Sequence, residues 1–137
     1  MDQNVPTAPA GPATGAPLTA LRVIVLLHLA AILWEGVTAG QLVTFNLAAE
    51  PLHYFGAFGV HVAAGAQVLA AAWLWSRARR TALGLLVLSA VAFGLGFLQA
   101  ALGTYGPLQV HVPLAVALMA LVAWTAAMAW LRPAARA

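Results

Sequence analysis

Four histidines carry most of the chemistry open to this chain of 137 residues. They are His28, His53, His61 and His111, and they stand in long apolar stretches with few other polar groups near them: Glu35, Thr38, Gln67, Ser89 and Gln99. The chain has no cysteine. Disulfides, iron–sulfur clusters, thiolate metal sites and thioether-linked haem are therefore excluded, and any cofactor must be held by His, Met, Tyr or carboxylate. No H-E-x-x-H pair and no acid-rich cluster is present, which removes zinc-dependent hydrolysis. What remains is imidazole chemistry in an apolar setting.

The elements that must position these groups follow from composition. Hydrophobic residues make up 64% of the chain and charged residues 7%, against about 25% charged in a soluble domain. That excludes a soluble enzyme, a nucleic-acid binder and a disordered protein. The isoelectric point near 10.7 reflects six Arg against three acids, with no Lys at all. Residues 1–20 read as a flexible tail rich in Pro, Ala and Gly. Four apolar segments follow, at 21–44, 51–76, 82–103 and 107–131, each long enough to cross a hydrocarbon core. A short basic tail, 132–137, closes the chain. Pro51 and Pro107 fall at helix starts, where Pro is tolerated.

With four spans, Arg22, Arg77, Arg79, Arg80, Arg132 and Arg136 all lie on one side, which the positive-inside rule makes cytoplasmic. Trp73, Trp75 and Trp130 flank that side, and Tyr54 and Tyr105 the other, as an aromatic belt requires. The expected architecture is an all-α integral membrane protein, an up-down-up-down four-helix bundle with both termini cytoplasmic, in a bacterial-type inner membrane.

Heights along the spans sort the polar groups. At 1.5 Å per residue, His111 stands roughly 31 Å above Arg132, His53 roughly 36 Å above Arg77 and His61 roughly 24 Å above it. Glu35 stands roughly 20 Å above Arg22, and His28 only roughly 9 Å. One helix face carries His53, Ala57, Val60, Ala64 and Gln67; another carries His111, Ala115, Leu118, Val122 and Thr125. Span 3 offers Ser89, Ala92, Gly96, Gln99 and Gly103. Small residues on such stripes permit close helix approach and leave room for a flat macrocycle. Two His on different helices at similar height are what bis-His haem ligation needs. His111 is the one His of span 4; its partner is His53 or His61, which differ by roughly 80° of rotation and 12 Å of height.

Several residues match a known pattern. Glu50-Pro51-Leu52-His53 opens span 2 as E-x-x-H, Leu98-Gln99 and Leu102-Gly103 end span 3, and Val110-His111-Val112-Pro113-Leu114-Ala115 opens span 4. The stretch from 21 to 131 resembles one four-helix half of the heme A synthase family, and small four-helix membrane haem-binding proteins of the same design. The resemblance implies haem held between His53 and His111. The chain departs from the family in having Tyr54 where Arg follows the span-2 His, four helices in place of eight, and no outer-loop cysteine pair. These departures bear on oxygenase chemistry more than on haem binding.

Each polar residue also has a plain structural role open to it. His53 and His111 can bond loop carbonyls or water. His61 is expected to pair with Glu35 at similar height, satisfying two costly groups at once. Glu50 suits a helix N-terminus, Gln99 bonds a ligand His, a ring substituent or a neighbouring helix, and Met119 and Met128 pack. Three functions remain open. One is a b-type haem protein acting in electron transfer, as a small subunit of a larger membrane redox complex or as a homodimer, with a quinone or redox protein as partner. The second is a half-size haem-modifying enzyme. The third is a structural accessory subunit without a cofactor. Lipid is the surrounding medium in all three, and nucleic acid a partner in none.

Overall fold

The computed structural model describes residues 14–132. Four helices account for nearly all of them: α1 Gly15–Val43, α2 Glu50–Arg77, α3 Arg79–Tyr105 and α4 Leu108–Trp130. A single 3-10 turn, Leu47–Ala49, precedes α2. All four helices are long and apolar enough to cross a membrane. Each packs on its neighbours in chain order, and α1 closes the ring against α4, so α2 faces α4 across the diagonal.

Connections are short because the helix ends are chemically marked. Ala78 alone separates α2 from α3. Gly106 and Pro107 separate α3 from α4, with Pro107 extended at the N-cap. Phe45 turns the chain after α1 in the left-handed region (φ 64°). α4 runs on through Pro113. The first helix begins at Gly15, ahead of the expected 21, because Pro17 is harmless in a first turn and because Leu18 and Leu21 are buried against the other helices. The remainder of the expected tail, residues 1–13, and most of the C-terminal tail, residues 133–137, lie outside the described residues.

The core is uneven along the bundle axis. At the Arg-rich end, Leu18, Leu21, Leu74, Leu85 and Ala129 form one buried cluster. Val25, Ile32, Val60, Leu118 and Val122 continue it into the middle. Beyond Ile32, Val60, Gly96 and Leu118, the fully buried residues are Thr38 and Ala49 alone among those described. The far third of the bundle therefore has no packed core of large apolar side chains. The Arg-rich end is also tied: Arg22 donates from Nε to the Ala129 carbonyl at 3.1 Å and from its terminal nitrogen to the Arg132 carbonyl at 2.8 Å. Its guanidinium lies over the Trp130 ring. The last carbonyls of a helix have no intrahelical partner, and Arg22 of α1 supplies donors to the chain at the end of α4.

Candidate functional site

The far third holds His53, Glu35, Thr38, His111 and Gln99. His53 projects from the first turns of α2 toward α1, where its Nδ1 lies 3.0 Å from Glu35 Oε2 and 3.0 Å from Thr38 Oγ1. The Thr38 hydroxyl proton is directed to the Trp34 and Glu35 carbonyls, each at 3.1 Å. Its oxygen therefore accepts, and Nδ1 carries the hydrogen. That leaves His53 Nε2 as a bare lone pair. Gly56 makes the approach possible: a Cβ there would collide with Glu35 Oε1.

His111 is held in the same way from the opposite corner. Its Nδ1 donates to the Gln99 carbonyl at 3.0 Å. The Gln99 amide nitrogen stands 3.4 Å from Nε2, too long for a strong bond, and Gln99 Oε1 is buried without a partner. Gly103 lies beneath the ring, where a Cβ would come within 2.8 Å of His111 Cε1. His53 and His111 thus sit on diagonal helices, each with Nδ1 anchored and Nε2 uncommitted to any strong bond. An anchored Nδ1–H is how a metal-ligating imidazole is oriented, because the bond fixes the tautomer and the ring plane.

His61 turns elsewhere. Its Nδ1 donates to the Ala57 carbonyl of its own helix at 2.7 Å. Its ring packs against Phe97 with centroids 4.5 Å apart, and its Nε2 is buried without a partner. The expected Glu35–His61 pair is not formed; Glu35 pairs with His53. Rotation explains the difference. The roughly 80° between His53 and His61 directs one toward α1 and the other toward α3, where the His61 ring packs on Phe97. Height does not explain it. His28 and Gln67 touch, although His28 is six residues from Arg22 and Gln67 ten from Arg77. Arg22 therefore rides about 6 Å deeper than Arg77, which still leaves Glu35 nearer the level of His61 than of His53.

His28 forms a second polar group in the middle of the bundle, not at its edge. It is fully buried, as are Gln67 and Ser89. The hydrogens can be traced in one direction. Ser89 donates to the Leu85 carbonyl at 2.7 Å, so its oxygen accepts from Gln67 Nε2 at 3.1 Å. Gln67 Oε1 then faces His28 Nδ1 at 2.8 Å and accepts from it. Three helices are joined through this relay. The face carrying His53 and Gln67 and the face carrying Ser89 are visible in the sequence, but the link to His28 is not, because it depends on the depth of Arg22.

No cluster of three or more His, Cys, Asp or Glu side chains converges among the described residues. The described residues therefore offer no protein-only metal cage. No known protein family, curated protein or solved structure matches the chain.

Proposed function

We propose that this protein spans a bacterial-type inner membrane with both termini cytoplasmic, and holds a b-type haem between His53 of α2 and His111 of α4. The observation that carries the reading is the matched state of these two imidazoles. They lie on diagonal helices, each gives Nδ1–H to a protein acceptor, and they share the one part of the bundle without packed apolar side chains. The donor set suits the group: two imidazoles, glycine beneath His111 and small Ala57 and Ala115 on the same helix faces as the two His.

Bound haem would supply a one-electron carrier, and two axial His would leave no open position for oxygen, which favours electron transfer over oxygenase chemistry. The chain's own residues do the positioning. Glu35 and Thr38 fix the plane and tautomer of the His53 ring, as hydrogen-bond partners of a ligating imidazole do. The Gln99 carbonyl fixes His111, and the Gln99 side-chain amide would be available to bond a substituent of the haem. The His53 side chain keeps 27% of its surface exposed, which gives a quinone, a redox protein or a neighbouring subunit a short route to this end of the bundle. The motif pattern of Glu50, His53, Gln99 and His111, which resembles half of a heme A synthase, points the same way.

His61 is the second reading for the α2 ligand, favoured by its buried, unpartnered Nε2. The optical spectrum of protein produced with ample haem separates the two. His53→Ala and His111→Ala should each abolish the sharp reduced α band, while His61→Ala should keep it. A colourless wild type, or a band unchanged in His111→Ala, would falsify haem ligation by this pair.

A further inference from the structure

The Arg-rich end of the bundle contains a cavity of about 690 Å³ to which all four helices contribute. Its apolar floor is Leu18, Leu74 and Met128, and its rim carries Arg80, Thr81 and Arg132. We propose that this cavity is a binding site for one anionic phospholipid, with the phosphodiester between Arg80 and Arg132 and the acyl chains against the apolar floor.

Three observations support that occupant. The first is charge. Arg22, Arg77, Arg79, Arg80 and Arg132 all gather at this end, while Glu35 and Glu50, the carboxylates among the described residues, belong to the opposite half. Among the described residues, an anion here meets no opposing carboxylate. The second is the state of the guanidinium groups. Arg22 is occupied by α4 carbonyls, and Arg79 lies over the Trp75 ring at 5.2 Å. Arg132 has its Nε buried without a partner, and Arg80 is exposed at the rim. The third is the mixture of surfaces. A free anion would be served by Arg and Thr81 alone. A floor of Leu and Met beneath two guanidinium groups matches a molecule that is anionic at one end and hydrocarbon at the other. Basic pockets between helices on the cytoplasmic side recognise lipid headgroups on this principle, and guanidinium forks suit phosphate oxygens.

The site is independent of haem and rests only on the chain spanning a bilayer, which resistance to alkaline extraction establishes first. The test is native mass spectrometry of the full chain with phosphatidylglycerol, phosphatidylcholine or inorganic phosphate added, alongside thermal unfolding. Phosphatidylglycerol should remain as a single adduct and raise the unfolding temperature; the other two should do neither. Arg80→Gln/Arg132→Gln should weaken retention by about thirtyfold, from roughly a tenfold loss or less per guanidinium. Arg77→Gln/Arg79→Gln removes equal charge outside the cavity and should weaken it far less. Circular dichroism checks that both variants keep their helices. Equal retention of phosphatidylcholine, equal stabilisation by phosphate, or equal loss in the two double variants would overturn the proposal. So would a gain in phosphatidylglycerol retention on deleting residues 2–13, which would make the chain's own N-terminal segment the occupant.

Discussion

The Glu35 carboxylate crosses from α1 to meet the Nδ1 of His53 on α2 at 3.0 Å, with the Thr38 hydroxyl sharing the same hydrogen. This contact fixes which ring nitrogen of His53 is free. It also rests on a glycine, since the carboxylate lies where a side chain at position 56 would be.

Gly56→Ala should therefore push the Glu35 carboxylate, the end of a flexible side chain, away from His53 and destabilise the bundle by about 1 kcal/mol, the net worth of the hydrogen bond lost. Unfolding by denaturing detergent measures it. Because the clash is with Glu35 itself, adding Glu35→Ala should recover part of the loss, giving a coupling between neighbours that independent sites would not show. Strict additivity would mean that Gly56 acts through something other than the carboxylate.

Gly103→Ala should displace the His111 ring, because the new Cβ would sit 2.8 Å from Cε1. The expected result is reduced haem retention with little change in helix content. Gly94→Ala is the control, since nothing lies within 4 Å of a Cβ there. A spectrum in which Gly103→Ala and Gly94→Ala behave alike would show that the ring has room to move.

The inner relay makes a different demand. Gln67→Leu strands both His28 Nδ1 and the Ser89 hydroxyl oxygen in the core, and should cost about 1–3 kcal/mol per lost partner. His28→Leu/Gln67→Leu removes both partners of the central bond and should cost less than the sum of the single changes. Measured unfolding free energies for the three variants decide the point, and a double variant as unstable as that sum would remove the relay from the account of stability.

Arg22→Lys tests the closure of α1 on α4. Lys keeps the charge but loses the planar fork that serves the Ala129 and Arg132 carbonyls together. Hydrogen bonds from a charged group contribute about 1.5–3 kcal/mol, so stability should fall by an amount within that range. Trp130 fluorescence should shift as its ring loses the guanidinium at 5.6 Å. Full stability in Arg22→Lys would mean that charge alone holds the two helices.

The four helices were legible from their apolar length, with Arg and Pro marking the turns. His53, Ala57, Val60, Ala64 and Gln67 were legible as one face of α2, and the Ser89-to-Gly103 stripe as one face of α3. The partner of Glu35 was not, because rotation decides it: His61 turns toward α3 and away from α1. Nor was the contact of His28 with Gln67. Counting residues from Arg anchors assumes that the anchors share a plane, and Arg22 does not lie in the plane of Arg77. Its depth is set by carbonyls at the end of α4, a tertiary contact with no local signature. The start of α1 was hidden for a related reason: Gly15-Ala16-Pro17 has the composition of a tail, and only the burial of Leu18 and Leu21 draws it into a helix. The role of Gly56 and Gly103 as beds for Glu35 and His111 likewise depends on which helices become neighbours.

The dense packing that stops at Val60 and Leu118 separates two events in the life of this molecule. Leucine, valine, the His28–Gln67–Ser89 relay and the Arg22 clasp hold the lower bundle without help from His53 or His111. The chain can therefore reach its final topology first; the proposed haem would be received at the other end afterwards, and its departure would leave the scaffold standing.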